Sequence, residues 1–164
     1  MASYPVVALR PLTYAPDMTE SDEAHSALQV ARQLHTEDRL GEAIVSARRA
    51  LEIDPDFVEA LSYLGNTLVT RKRRYREGLA LLERARDLAP VDPYSHYTLG
   101  WCYEFAAHEL AGLSAPSGVP PVPVLYRLAA AELRSCLCLH PEDDLRNDVE
   151  KLLDQITDRL KNEG

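Results

Sequence analysis

The sequence predicts an all-α chain built from three helical hairpins and a closing helix. Three observations carry this. A four-position pattern recurs three times with gaps of four, three and five residues: Ala43, Ala47, Ala50, Pro55; Gly78, Leu82, Ala85, Pro90; and Ala129, Leu133, Cys136, Pro141. Upstream of each lies an i, i+3, i+4, i+7 rhythm: Ala27, Val30, Ala31, Leu34; Leu61, Leu64, Gly65, Leu68; and His96, Leu99, Gly100, Tyr103. That rhythm places four side chains on one helix face. Finally, the prolines stop each second helix, because proline has no N–H to donate and restricts the residue before it.

The elements follow in chain order. Residues 1–21 form an N-terminal arm, extended because Tyr4, Val6, Val7, Leu9, Leu12 and Tyr14 stand among three prolines. The arm is expected to pack on the repeat body, a second copy or a partner; the alternative is an unattached extension. The first hairpin covers about 24–57 and the second about 58–92, with one extra residue near Arg71 to Arg76. The third covers about 93–141 and carries about sixteen extra residues. Its insertion, about 112–122, is mostly Gly, Ser, Pro and Val, and predicts a non-helical, extended, polyproline-like loop. A capping helix over about 142–161 buries Leu145, Val149, Leu152, Leu153 and Ile156 at helical spacing. Asp92 before Pro93 reads as an N-cap with proline at the first helical position, and Asp54-Pro55-Asp56 repeats the theme.

The third position of each upstream pattern is always small (Ala31, Gly65, Gly100), as is the residue opening each second pattern (Ala43, Gly78, Ala129). Two such residues facing each other let paired helices approach closely. The physical unit is therefore a hairpin closed by a small-to-small contact.

At 164 residues, 46% hydrophobic and 27% charged, the chain has the composition of one globular domain. A net charge of −8 disfavours nucleic acid and anionic lipid, and no nucleic-acid partner is expected. No stretch approaches the length of a membrane helix, so no membrane insertion is expected. The apolar run from Val6 to Leu9 is too short for a signal-peptide core. Three cysteines inside apolar helical patterns point to free buried thiols, a reducing compartment and a cytoplasmic location.

Catalytic and metal chemistry find little support. Cys136, Cys138 and His140 are soft ligands, but on a helix Cys136 and His140 share a face while Cys138 points away. His108-Glu109 resembles the start of a zinc-protease helix, yet Gly112 stands where the second ligand belongs. No phosphate-binding glycine loop or nucleophile elbow is present, so catalytic residues, metal and cofactors are all expected to be absent. The basic run Arg71-Lys72-Arg73-Arg74-Tyr75-Arg76 reads as a solvated turn between helices, with nuclear import, nucleic-acid contact or docking on an acidic partner as its functional alternatives.

The two-helix pattern resembles the tetratricopeptide repeat (TPR). Leu64-Gly65 and Leu99-Gly100-Trp101-Cys102-Tyr103 carry the first-helix signature, and Ala43 to Pro55 and Ala129 to Pro141 the second, over roughly residues 22 to 141. His96 and Ala27 depart from it, standing where a large apolar residue is usual. The resemblance implies a right-handed superhelical stack, a non-enzymatic protein-binding role and a concave groove. Reading the free face of each first helix gives His25, Leu28, Gln29, Arg32 and His35; then Ser62, Tyr63, Asn66 and Val69; then Tyr94, Tyr97, Thr98, Trp101 and Phe105. Large amphipathic rings suit a protein-binding surface, Asn66 can bond an extended backbone and Arg32 can pair with a carboxylate.

A subset of that family grips an acidic chaperone tail with Lys, Asn and Arg side chains. Tyr94 and Thr98 stand where the subset has basic residues, and Leu28 replaces a lysine, so tail binding of that kind is not expected. The leading expectation is an adaptor or scaffold holding a protein segment in the groove. Its alternatives are a dedicated chaperone for a secreted or aggregation-prone client, or a structural subunit of a larger assembly with the arm and proline-rich loop as tethers; through the arm the chain is expected to join either a homo-oligomer or such an assembly.

Overall fold

The computed structural model describes residues 19–162. Seven helices follow one another: α1 (Glu20–Thr36), α2 (Leu40–Ile53), α3 (Val58–Lys72), α4 (Tyr75–Leu88), α5 (Pro93–Glu109), α6 (Val122–Cys138) and α7 (Asp143–Asn162). Helices α1 and α2, α3 and α4, and α5 and α6 pair as hairpins, and α7 packs on α6 and α5. The arm expected over 1–21 lies outside the described residues as far as position 18; Glu20 and Ser21 already belong to α1.

Small residues set the hairpin spacing. A Cβ added at Gly65 would stand 2.8 Å from the Gly78 carbonyl oxygen, and one at Gly78 would stand 2.7 Å from that of Gly65. Two backbones are in direct contact there. Gly100 faces Leu133 and the Ala129 carbonyl in the same way, at 2.9 and 3.2 Å from the ideal Cβ position. Ala31 and Ala43, the matching pair of the first hairpin, are both fully buried.

Helix ends follow local chemistry. Thr19 and Asp22 form a reciprocal capping box at α1. Asp92 caps α5 by accepting from the N–H groups of Tyr94 and Ser95 at 3.2 and 2.9 Å. Asp54 does not cap α3: its carboxylate accepts from the Asp56 N–H at 3.1 Å and shapes the turn, while Phe57 occupies the N-cap position. Asp38, Arg73 and His140 have positive φ and turn the chain beyond α1, α3 and α6.

The insertion departs from the expected extended form. It is non-helical, but Val119 N–H donates to the Pro116 carbonyl at 3.0 Å and Gly118 takes φ +79°, so the loop makes a tight turn. That turn buries Val119 within the same apolar cluster as Tyr75. The basic run spans the junction of α3 and α4: only Arg73 and Arg74 lie between the helices, Tyr75 is buried, and the arginines are exposed, with Arg73 on Glu109 at 2.7 Å, Arg74 on Glu77 at 2.5 Å and Arg71 on Asp38 at 3.6 Å.

The core is unevenly divided. One large cluster joins Val69 of α3 to residues of α4, α5, α6 and α7, including Leu82, Leu99, Leu125, Leu133 and Ile156. Two small clusters join the first hairpin to α3: one around Leu28 and Phe57, the other around Ala31, Ala47, Leu64 and Leu68. His96 is buried, its ring nitrogens facing Glu132 Oε2 at 2.7 Å and the Pro90 carbonyl at 3.0 Å. Glu132 also contacts Arg86 of α4, so the polar trio pins the third hairpin to the second.

Candidate functional site

The first helices α1, α3 and α5 jointly line an open hollow of about 400 Å³. Six of the residues expected in the groove meet there: Arg32 from α1, Ser62, Tyr63 and Asn66 from α3, and Tyr94 and Thr98 from α5. The repeat explains the convergence. Arg32 and Asn66 each follow the small residue that sets the helix contact, so each emerges one step round from the packing face.

Other expected residues lie elsewhere. Leu28 is a core residue, packed with Ala50, Phe57 and Ala60. Val69 is fully buried as well. Both point inward because the helices approach so closely that a wide apolar stripe is covered, not the narrow four-residue one. Gln29 is exposed but does not line the hollow. Tyr97, Trp101 and Phe105 are half-buried against the large cluster, and the Trp101 and Phe105 rings lie 5.7 Å apart. Desolvation, with Asp148 of α7 nearby, raises the Tyr97 hydroxyl above its ordinary value.

Tyr63 is held in place. Its hydroxyl donates to the Ala31 carbonyl at 3.1 Å and lies 3.1 Å from His35 Nδ1. Burial raises its ionisation above the ordinary range, so it remains a neutral donor and acceptor at the junction of α1 and α3. The His25 ring lies 4.4 Å from the Phe57 ring at a tilt of 42°, joining α1 to the N-cap of α3. Asn66 places its amide 3.8 Å from the Cys102 sulfur, a weak contact linking α3 to α5.

Four lining residues escape the sequence reading: Val58, Glu59, Asp92 and Ser95. Glu59 and Ser62 share a face at i and i+3, which was available as a signal. Asp92 and Ser95 stand at the N-terminal end of α5, beside Tyr94, and line the hollow with it.

The soft-ligand group is dispersed. Helix α6 ends at Cys138, so His140 lies beyond it with φ 54° and shares no helical face with Cys136. Cys138 is exposed, unlike the buried Cys102 and Cys136, which corrects the expectation of three buried thiols. Among the described residues no three His, Cys, Asp or Glu groups converge as a metal site, and no helix is long and apolar enough to cross a membrane.

Solved structures share this architecture. One is the first TPR of Spaghetti (RPAP3) bound to HSP90 peptide SRMEEVD, at 14% identity and TM-score 0.67, covering 88% of this chain and 98% of that one. Another is the N-terminal domain of stress-induced protein-1 (STI-1) from C. elegans, at 13% identity and TM-score 0.55, covering 82% and 97% of the two chains. No family model and no curated protein matches the sequence. The fold is that of a tetratricopeptide-repeat domain.

Proposed function

We propose that this chain is a non-catalytic interaction module that holds an extended segment of another protein between α1, α3 and α5. The observation that carries the reading is the shared hollow, to which all three hairpins contribute polar side chains, with Val58 and the rings of Tyr63 and Tyr94 among them. An extended segment laid there meets the Asn66 amide for its backbone, Tyr94 for an apolar side chain, and Arg32 and Glu59 for charges. The Spaghetti domain, of the same fold, was solved with a peptide bound.

The charge inventory favours a neutral or basic segment over an acidic tail. Glu59 and Asp92 stand against Arg32 alone in the lining, within a chain of net charge −8. An acidic peptide such as SRMEEVD would meet repulsion there. Burial raises the Cys102 and Cys136 thiols, so neither is an activated nucleophile.

Affinity capture from native lysate with the full chain and with Asn66→Asp and Tyr94→Ala tests the reading. Tyr94 is 55% exposed, so the second change leaves the core intact. Loss of a shared captured protein from both variants, with helicity unchanged, is the expected result. Identical captured sets would overturn the groove. A single captured client whose aggregation the chain suppresses would mark the module as a dedicated chaperone.

A further inference from the structure

A repeat stack has two ends, and each exposes a face that the next hairpin would have covered. At the C-terminal end α7 supplies the cover, burying Leu145, Val149 and Ile156 and turning Asp144, Asp148, Lys151, Asp154 and Asp158 outward. The N-terminal end has no counterpart among the described residues. Val30 occupies the place that Leu64 and Leu99 hold in the later hairpins; those two are 1% and 0% exposed, whereas Val30 is 50% exposed. Val45 on α2 is 68% exposed. Together with Leu34, Gly41 and Ser46, and with the charged Glu42 and Arg49, they line a shallow, mainly apolar hollow of about 440 Å³ on α1 and α2. Nothing lies within 4 Å of the point where a Gly41 Cβ would stand, so the hollow is open.

We propose that the chain's own segment from about Tyr4 to Tyr14 occupies this hollow and seals the N-terminal end of the stack. The segment ends five positions before the Thr19 cap and is apolar enough to need cover: Tyr4, Val6, Val7, Leu9, Leu12 and Tyr14, with Arg10 its only charged side chain. Pro5 and Pro11 within the segment, and Pro16 just after it, favour extended backbone, which suits a shallow groove better than a second helix would.

The reach is right. Val30 lies about 16 Å and Leu34 about 22 Å along α1 from Thr19, at 1.5 Å per residue. A chain doubling back at about 3.3 Å per residue brings Tyr14 beside Val30 and Leu12 beside Leu34. Leu9 then arrives near Gly41, where α2 begins. A second copy stacked head to tail is a poor occupant, because the outer face of α7 would press its carboxylates onto valines.

The test uses the full chain with Leu12 replaced by a photoreactive benzoylphenylalanine, and hydrogen exchange on the unmodified chain. Sealing predicts cross-links within one chain into residues 30–49. It also predicts amide protection over residues 6–14 that falls about tenfold in a Val30→Asp, Val45→Asp double variant. Both substitutions are at exposed positions, so the helices remain folded in the variant. Cross-links between two chains would assign the face to a second copy and overturn the proposal. So would cross-links to any other surface, or unprotected amides throughout the segment.

Discussion

Adding one methyl group at Gly65 tests a contact between two backbones. The new Cβ would meet the Gly78 oxygen at 2.8 Å and Leu82 Cγ at 2.7 Å, and the backbone atom cannot swing away. The gain in helix propensity, about 1 kcal/mol, is outweighed by overpacking of about 1–3 kcal/mol. Gly65→Ala should therefore lower the urea midpoint, and Gly100→Ala should lower it less. At Gly100 the nearest backbone atom is 3.2 Å away and the closer neighbour is a leucine side chain that can shift. The cysteines give a second residue-scale expectation. Burial pushes the Cys102 thiol up to about 12 and the Cys136 thiol up to about 11, while Cys138 is exposed. A thiol reagent at pH 8 should label Cys138 alone in the native protein and the other two only after unfolding. Glu132→Ala strips Arg86 and His96 of their shared partner and should cost about 2–4 kcal/mol, read from the same urea curves.

At the scale of elements, the turn between α3 and α4 is open to improvement. Arg73 sits in the left-handed region at φ 53°, which costs an ordinary residue about 1 kcal/mol. Its ion pair with Glu109 is 70% exposed on the arginine side and contributes little. Arg73→Gly should raise thermal stability modestly, by about 0.5–1 kcal/mol in a denaturation curve. Helix pairing was legible in the sequence because the gaps between small residues and prolines repeat, and each repeat is one packing unit. The groove was legible only in part. Arg32, Asn66 and Thr98 could be placed from helical phase, whereas Leu28 and Val69 depend on how far neighbouring helices sink into one another. The turn around Val119 was hidden for a similar reason: it is held by Tyr75, more than forty positions earlier in the chain.

For the whole molecule, acid should change the balance where α5 meets α7. Burial raises the Glu104 carboxyl above its ordinary value, with Arg159 and His108 partly opposing the shift. The folded chain then binds that proton more tightly than the unfolded chain does. Glu104 therefore subtracts stability as pH rises from the ordinary carboxylate range through its raised value, and the full penalty persists above. Glu104→Gln should accordingly melt higher than the parent at pH 7, with the difference vanishing below about pH 4. The uneven division of the core has a mechanical consequence. Hairpins two and three and α7 share one continuous cluster, further tied by the inserted loop, while the first hairpin hangs on two small alanine-lined ones. Pulled or warmed, such a molecule should come apart from one side, α1 and α2 peeling off while the remainder stays a single cooperative block.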